Sequence, residues 1–379
     1  MIEWTERRLG NIVTFQRGHD LIQTKFITGE YPVAGSNGII DFHNEFTTVG
    51  PGLTLGRSGN SIGIAHYYEK NFWAHNTTLY SKEFIDSYPK YIYYLLKTID
   101  FSTFNTGSAV PSLNRNHIHE ILVLVPPLTE QKAIASILTS LDDKIDLLHR
   151  QNATLEAMAE TLFRQWFVEE AKEEWPITTL DQHVDVSRGL SYKGSGLSEK
   201  GIGLPMHNLN SVYEGGGYKS DGIKYYSGLY KPRHLVHPGD IIVTNTEQGH
   251  EHRLIGFPAI VPDTFGEVGL FSQHIYKVKP LNSTYLTNEF VYYLLMTSSV
   301  REQITAATNG STVNMLAIDG LQRPEFKLPP KQLVKQFTEI TKSYWDKKNL
   351  NQKQIRTHTK LRDTLLPKLM SGEVRVKLN

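Results

Sequence analysis

The sequence predicts an α+β chain: two mixed β-rich domains joined by two long antiparallel helices, a coiled-coil spacer, built as a pseudo-two-fold internal repeat. Three observations predict it. The opening stretch WTERRLGNIVTFQRG, Trp4 to Gly18, returns 171 residues later as WPITTLDQHVDVSRG, Trp175 to Gly189, with Leu five positions after each Trp and Arg-Gly at the close. Each copy is followed, after a loop-rich stretch, by a long segment that reads as helix. Those two segments carry opposite charge.

The repeat persists along the chain. Tyr93-Tyr94-Leu95-Leu96 recurs as Tyr292-Tyr293-Leu294-Leu295, and His75 matches His274 at the same offset of 199. Gly107-Ser108 recurs as Gly310-Ser311, Pro126-Pro127 as Pro329-Pro330, and LFRQWF (162–167) as LLPKLM (365–370), all offset by 203. The offset therefore grows by 32 residues between the opening motif and Gly107. The ends of the unit are fixed, and the middle differs in length and sequence. Two dissimilar inserts on one frame point to two different things being recognised.

The elements follow in order. Residues 1–128 form the first domain: IVTF (12–15), LTLG (53–56), IGIAHYY (62–68) and ILVLV (121–125) read as strands broken by Gly, Asn and Pro. SYPKYIYYLLKTI (87–99) has apolar residues at helical spacing. Residues 129–170 are the central spacer helix, free of Gly and Pro as far as Phe167 and beyond. Ile134, Leu141, Leu148, Leu155 and Leu162 recur every seven residues, with Ile137 and Met158 expected in the second seam. At ~1.5 Å per residue this segment spans roughly 60 Å. Residues 171–330 repeat the β-rich plan, and 331–379 supply the C-terminal spacer helix and tail, ending near Pro367 and Gly372. Its heptad of Phe337, Tyr344, Asn351, His358 and Leu365 is weak for a coiled coil standing alone. Lys and Arg number four against eight Asp and Glu in 129–170, but twelve against four in 331–377. The acidic and basic helices should attract each other and discourage self-pairing.

Composition bounds the rest. The 379 residues suffice for two or three domains, and 39% hydrophobic with 21% charged residues fits an ordinary globular protein. No apolar run is long enough for a membrane span, and MIEWTERR has no apolar secretion region. The absence of cysteine removes disulfides and thiolate metal sites and fits the cytoplasm. A net charge of +1 gives no global sign of a polyanion partner, so any such reading rests on local features.

The loops carry those features. GRSGNSIG (56–63) lacks the Gly-Lys-Ser/Thr end of a phosphate loop, and a strand-like segment follows it rather than a helix. Two readings stand: a tight hairpin, or a hairpin tip presenting Arg57, Ser58 and Asn60, where Arg can fork onto guanine and Asn onto adenine. TEQGHEHRLIG (246–256) carries Gln248, His250, His252 and Arg253 in the second copy. His234, His237, His250 and His252 have no helical four-residue spacing or clear carboxylate partner, so a donor-rich surface loop is the preferred reading over a metal site. NTGSAVPSLNRNHIHEI (105–121) and ATNGSTVNMLAIDGL (307–321) are matched loops: turns into strands, or phosphate contacts through Ser108 and Ser311. No hydrolase, nuclease, methyltransferase or cofactor fingerprint is present in the sequence.

The series Trp-x4-Leu with Arg-Gly, GRSGNSIG, YYLL, TGSAVPSLN, VPPLTEQKAIASIL and LLPKLMSGEVRV resembles the specificity (S) subunit of type I restriction-modification systems along the whole chain. The resemblance implies two target recognition domains, each reading one half of a split double-stranded DNA sequence, and a helix pair that sets the spacer. It implies docking of two methyltransferase (M) subunits, addition of restriction-translocase (R) subunits, and a non-catalytic role for this chain. S-adenosylmethionine, ATP and Mg would then bind those partners, with no cofactor in this chain. Candidate DNA contacts are Arg17, Arg57, Ser58, Asn60, Ser108 and Asn114 in the first domain. In the second they are Lys193, Thr246, Gln248, His250, His252, Arg253 and Ser311. The helix-pair and partner interface is expected at Ile134, Leu141, Leu148, Leu155, Leu162, Trp166, Phe337, Tyr344, Leu365 and Leu369. LPPKQLVKQF lacks the Glu-Gln pair of PPLTEQKAI, so the two helices are not equivalent. The near-neutral globular parts predict weak DNA affinity for the isolated chain. A bilobed adaptor that binds no DNA is the alternative, explaining the two lobes but not the matched blocks.

Overall fold

The computed structural model describes residues 4–22, 26–104, 112–248, 251–310 and 313–377. The chain divides into two compact units, Met1–Asp146 with Ile355–Asn379, and Leu147–Gln354. The boundary crosses the middle of both long helices. The helices are therefore not separate from the β-rich domains, because their ends are built into each domain's core.

In the first unit, β1 (Thr5–Arg8), β2 (Val13–Arg17), β3 (Tyr31–Gly35), β4 (Gly38–His43) and β5 (Gly52–Gly56) are followed by β6 (Ala65–Tyr68), β7 (Trp73–Ala74) and β8 (Thr78–Phe84). Helix α1 (Pro89–Leu96), α2 (Arg115–His119), β9 (Leu122–Val125) and α3 (Leu128–Arg164) complete it, together with the end of the last helix. The main sheet has the order β2-β8-β5-β6, and a smaller sheet runs β4-β3-β7. β1 pairs antiparallel with β9, closing the two ends of the domain on each other. The expected helix at YYLL packs Tyr91, Ile92, Tyr94, Leu95 and Leu96 into a core with Leu9, Leu53, Leu55, Ile134, Leu138 and Leu369.

The second unit repeats this plan. It contains β10 (Ile177–Thr179), β11 (Val184–Arg188), β12 (Leu197–Ser198), β13 (Leu204–His207), β14 (Lys224–Tyr226), β15 (Leu235–Val236) and β16 (Ile241–Thr244). Then come β17 (Thr246–Gln248), β18 (Pro258–Ile260), β19 (Gly269–Phe271), β20 (Ile275–Pro280), α4 (Asn288–Met296) and α5 (Ser298–Ala306). β21 (Thr308–Asn309), β22 (Val313–Leu316), α6 (Ile318–Gln322), β23 (Glu325–Lys327) and α7 (Lys331–Ser371) finish the chain. The order β11-β20-β16-β18 reproduces the main sheet of the first unit, and β10 pairs with β23 as β1 does with β9. The insert differs: 34 residues separate β2 from β5, whereas 52 separate β11 from β16 and supply four strands of a five-stranded sheet, β12-β14-β13-β19-β15, completed by β19.

The repeated Arg-Gly has a steric cause. A Cβ on Gly18 would lie 2.1 Å from the carbonyl oxygen of His75, and one on Gly189 the same distance from that of Ser272. The end of β2 and the end of β11 each pass against a neighbouring backbone where only glycine fits. This equivalence also corrects the sequence match of His75 with His274. His19 N–H donates to Ala74 O at 2.7 Å, Leu190 N–H to Phe271 O at 2.7 Å, so the offset here is 197 and His274 takes the place of Thr77.

Candidate nucleic-acid interface

One end of each main sheet gathers the donor-rich loops. In the first unit, Gly18 N–H donates to Thr78 O at 3.0 Å, Arg57 N–H to Thr77 O at 3.0 Å, and Leu113 N–H to Arg57 O at 2.8 Å. An isolated bridge joins Ser58 to Ser112. The strand end carrying Arg57 thus lies between the 74–78 corner and the segment that leaves the TGSAVPSLN loop. In the second unit Asn245 N–H donates to His274 O at 3.1 Å and Leu316 N–H to Asn245 O at 2.9 Å, and β17 pairs with β22. The two loop pairs singled out in the sequence are therefore neighbours in both units.

The candidate residues divide by environment. Arg17 is exposed at the end of β2 with Asp20 at 3.8 Å, and Asn60 is exposed on the turn after half-buried Arg57 and Ser58. Asn114 is exposed but caps α2, its side chain accepting from Asn116 N–H at 3.0 Å. Lys193 and Gln248 are exposed. Thr246 is buried, its hydroxyl 3.2 Å from His274 Nδ1. Arg253 is exposed and paired with Glu251 at 2.8 Å, and His252 Nε2 lies 2.9 Å from Asn314 Nδ2. Ser108, His250 and Ser311 lie outside the described residues. Of the other histidines in the region, His234 is buried and bonded to its own turn, and His237 lies 3.8 Å from Asp240. No cluster of three or more His, Asp or Glu fit for a metal is present among the described residues.

Sequence reasoning missed side chains at the same sheet end. His19, His75 and Asn76 stand beside Gly18, with Asn76 hydrogen-bonded to Asp20 and His75 Nδ1 2.9 Å from the Thr77 hydroxyl. Burial lowers the His75 imidazole pKa, partly opposed by Asp20. Asn245, Gln273 and His274 occupy that place in the second unit, where Asn245 Nδ2 donates to Gln273 O at 3.0 Å. Their signal was the His repeat, read two residues out of register.

These paired sheet ends and paired helices match one known family in sequence. The sequence model for the type I restriction modification DNA specificity domain matches residues 1–157 and 172–358. The chain belongs to that family. It is 25% identical over 311 residues to the type I restriction enzyme MjaIX specificity subunit of Methanocaldococcus jannaschii, covering 76% of this chain and 69% of that protein. Similarity to the MjaVIII specificity subunit of the same organism is 24% over 314 residues, covering 76% and 70%. Among solved structures, the type I restriction-modification S subunit of M. genitalium shares the fold, with a TM-score of 0.65 at 17% identity over 100% of this chain and 97% of the other.

The two long helices meet through specific side chains in each unit. In the first unit the start of α3 pairs with the end of α7: Asp142 Oδ1 accepts from Arg362 Nη1 at 2.9 Å, and Asp142 Oδ2 from the Tyr94 hydroxyl at 2.7 Å. Glu130, buried, accepts from Arg375 Nε and Nη2 at 2.6 and 2.7 Å and from Trp4 Nε1 at 3.1 Å. In the second unit Glu156 pairs with Lys348, and Asn351 Nδ2 donates to Asn152 Oδ1 at 2.9 Å. Within each unit acidic α3 positions meet basic α7 positions, running antiparallel.

The expected seam needs one revision. Ile134, Leu148, Phe337 and Leu369 are buried, and Leu141, Leu155, Leu162, Trp166, Tyr344 and Leu365 are partly buried. Met158, however, is 47% exposed, and Ile137, partly buried against the first core, shares its heptad position, so neither is in the second row. That row is Leu138, Ile145, Asn152 and Ala159, three residues before each leucine of the 141–162 row, which is the a-to-d step of a heptad. On α7 the second row is Val334, Thr341, Lys348, Ile355, Arg362 and Leu369. The α7 pattern looked weak because several seam positions are polar and bond across to α3. The helix runs through Pro367 and ends at Ser371, next to the expected stop at Gly372, which turns left-handed at φ +77°.

Of the Glu-Gln pair that the second copy lacks, the glutamine's bond to the proline carbonyl is replaced. Gln131 Nε2 donates to Pro126 O at 3.0 Å and its Oε1 accepts from Tyr88 N–H at 2.9 Å. In the second unit the Tyr285 hydroxyl donates to Pro329 O at 2.9 Å, doing for Pro329 what Gln131 does for Pro126.

Proposed function

We propose that this chain is the DNA sequence-recognition subunit of a type I restriction-modification assembly in the cytoplasm. Each β-rich domain reads one half of a bipartite target, and the helix pair sets the spacer and docks two methyltransferase subunits. Restriction-translocase subunits join that complex, and S-adenosylmethionine, ATP and Mg bind the partners while this chain performs no catalysis. One observation carries the reading. Two sheets of identical strand order bring donor-rich loops to the same end, yet the loops and inserts differ between units. A shared frame with divergent reading surfaces suits two unrelated half-sites, because base-edge contacts specify sequence and backbone contacts only position the protein. Among the described residues no helix is long and apolar enough to cross a membrane.

The test is methylation mapping of DNA from cells that carry the chain with its methyltransferase partner. A split motif with an unread spacer is expected, and an undivided motif, or none dependent on this chain, would refute the reading.

A further inference from the structure

Residues 253–255 of the second unit are gripped from inside by a carboxylate. Glu247, between Thr246 and Gln248 on β17, is buried. Its Oε1 accepts from Arg253 N–H at 3.0 Å, and its Oε2 accepts from Leu254 N–H at 3.3 Å and Ile255 N–H at 3.0 Å. Three successive amides converging on one carboxylate form an anion nest, filled by the chain's own side chain. Arg301 of α5 holds the far end of the same segment. Its Nη2 donates to Ile255 O at 2.8 Å, and its guanidinium stacks on Phe257 with 3.7 Å to the ring centroid. Burial pushes the Arg301 pKa down to about 10, opposed by Glu247, so it stays charged at neutral pH. His252 has a left-handed backbone, φ +51°, and its ring is tied to Asn314. Such a conformation persists at a non-glycine residue when the surroundings over-determine it.

Burying a carboxylate is costly unless it is fully hydrogen-bonded. Here the cost is met by fixing the backbone of 253–255 next to exposed Gln248 and Arg253. A loop already held in one shape loses little entropy on binding and adapts poorly to a wrong base. We propose that Glu247 and Arg301 are positioning residues that preorganise residues 253–257, and so sharpen discrimination in one half of the target without touching a base. The proposal rests on the recognition function above.

The experiment uses the chain in complex with its methyltransferase subunits and duplexes carrying single base-pair changes in either half of the mapped target. For Glu247→Gln, whose amide offers one acceptor oxygen where the carboxylate offers two, discrimination is expected to fall roughly tenfold in one half only, the other half unchanged. Arg301→Lys, which keeps the charge but loses the planar stack, should relax the same half. Unchanged discrimination in both variants, or equal relaxation of both halves, overturns the proposal while leaving the recognition function intact. Absence of sequence-dependent methylation by the parent complex would instead overturn the function on which it rests. Should Glu247→Gln fail to assemble, Arg301→Lys alone decides.

Discussion

Glu130 shows how one residue can tie three distant parts of a domain. It joins the start of α3, the opening tryptophan and the arginine beyond α7, and two charge-assisted bonds from Arg375 fix its geometry. The hydrogen bonds from Arg375 lower its pKa below the ordinary 4.5, against a smaller opposing effect of burial. A depressed carboxylate stabilises the fold fully above its unfolded pKa and loses that contribution as pH falls through the folded one. The midpoint of thermal unfolding of the first domain should therefore drop as pH falls below about 4.5. Glu130→Gln should lower the midpoint at pH 7 and flatten that acid limb, as followed by calorimetry across pH 3–8. At the proposed reading surface, Arg57→Ala and Asn60→Ala should relax one half-site only. The expected loss is ~1–3 kcal/mol of discrimination per bidentate base contact, roughly five- to 150-fold in relative methylation rate. Loss in both halves together would assign these residues to folding.

Among the elements, the helix pair was legible in sequence to the extent that its seam is apolar. The leucine row of α3 stands out, and the opposite charges identify the partner. The register of α7 was obscured by Asn351, Lys348 and Arg362, polar residues at seam positions, which only the facing Asn152, Glu156 and Asp142 explain. The proposed reading surface was legible only in part, because the glycine loops announce themselves while His19, Asn76 and Asn245 acquire their place at that sheet end from strand pairing distant in sequence. Buried polar layers of this kind fix register more reliably than they add stability. Asn351 is fully buried. Asn351→Leu alone strands the Asn152 side chain and should cost ~1–3 kcal/mol in urea unfolding. Replacing Asn152 and Asn351 by Leu together should return stability to within about 1 kcal/mol of the parent or above it. An additive double-variant loss would show that the pair is not coupled.

For the whole molecule, the proposed spacer role of the helices makes their length the quantity to change. α3 and α7 each contribute one half to either compact unit, so their midpoints lie apart from both proposed reading surfaces in sequence. A heptad added to α3 after Leu148, with a second added to α7 before Ile355, keeps both seam rows in phase. Each addition lengthens its helix by ~10 Å. At ~3.4 Å per base pair, length alone would add roughly three base pairs to the unread spacer. Rotation opposes this: a heptad drifts by only ~20°, whereas DNA with ~10 base pairs per turn rotates by roughly 35° at each. The compromise should be a spacer longer by about one to three base pairs, with both half-sites unchanged. Methylome sequencing of cells carrying the variant reads this directly. If the helices only join the two domains without measuring the distance, the motif will keep its original spacer or vanish, and a motif of new half-sites would mean that the additions disturbed the reading loops themselves.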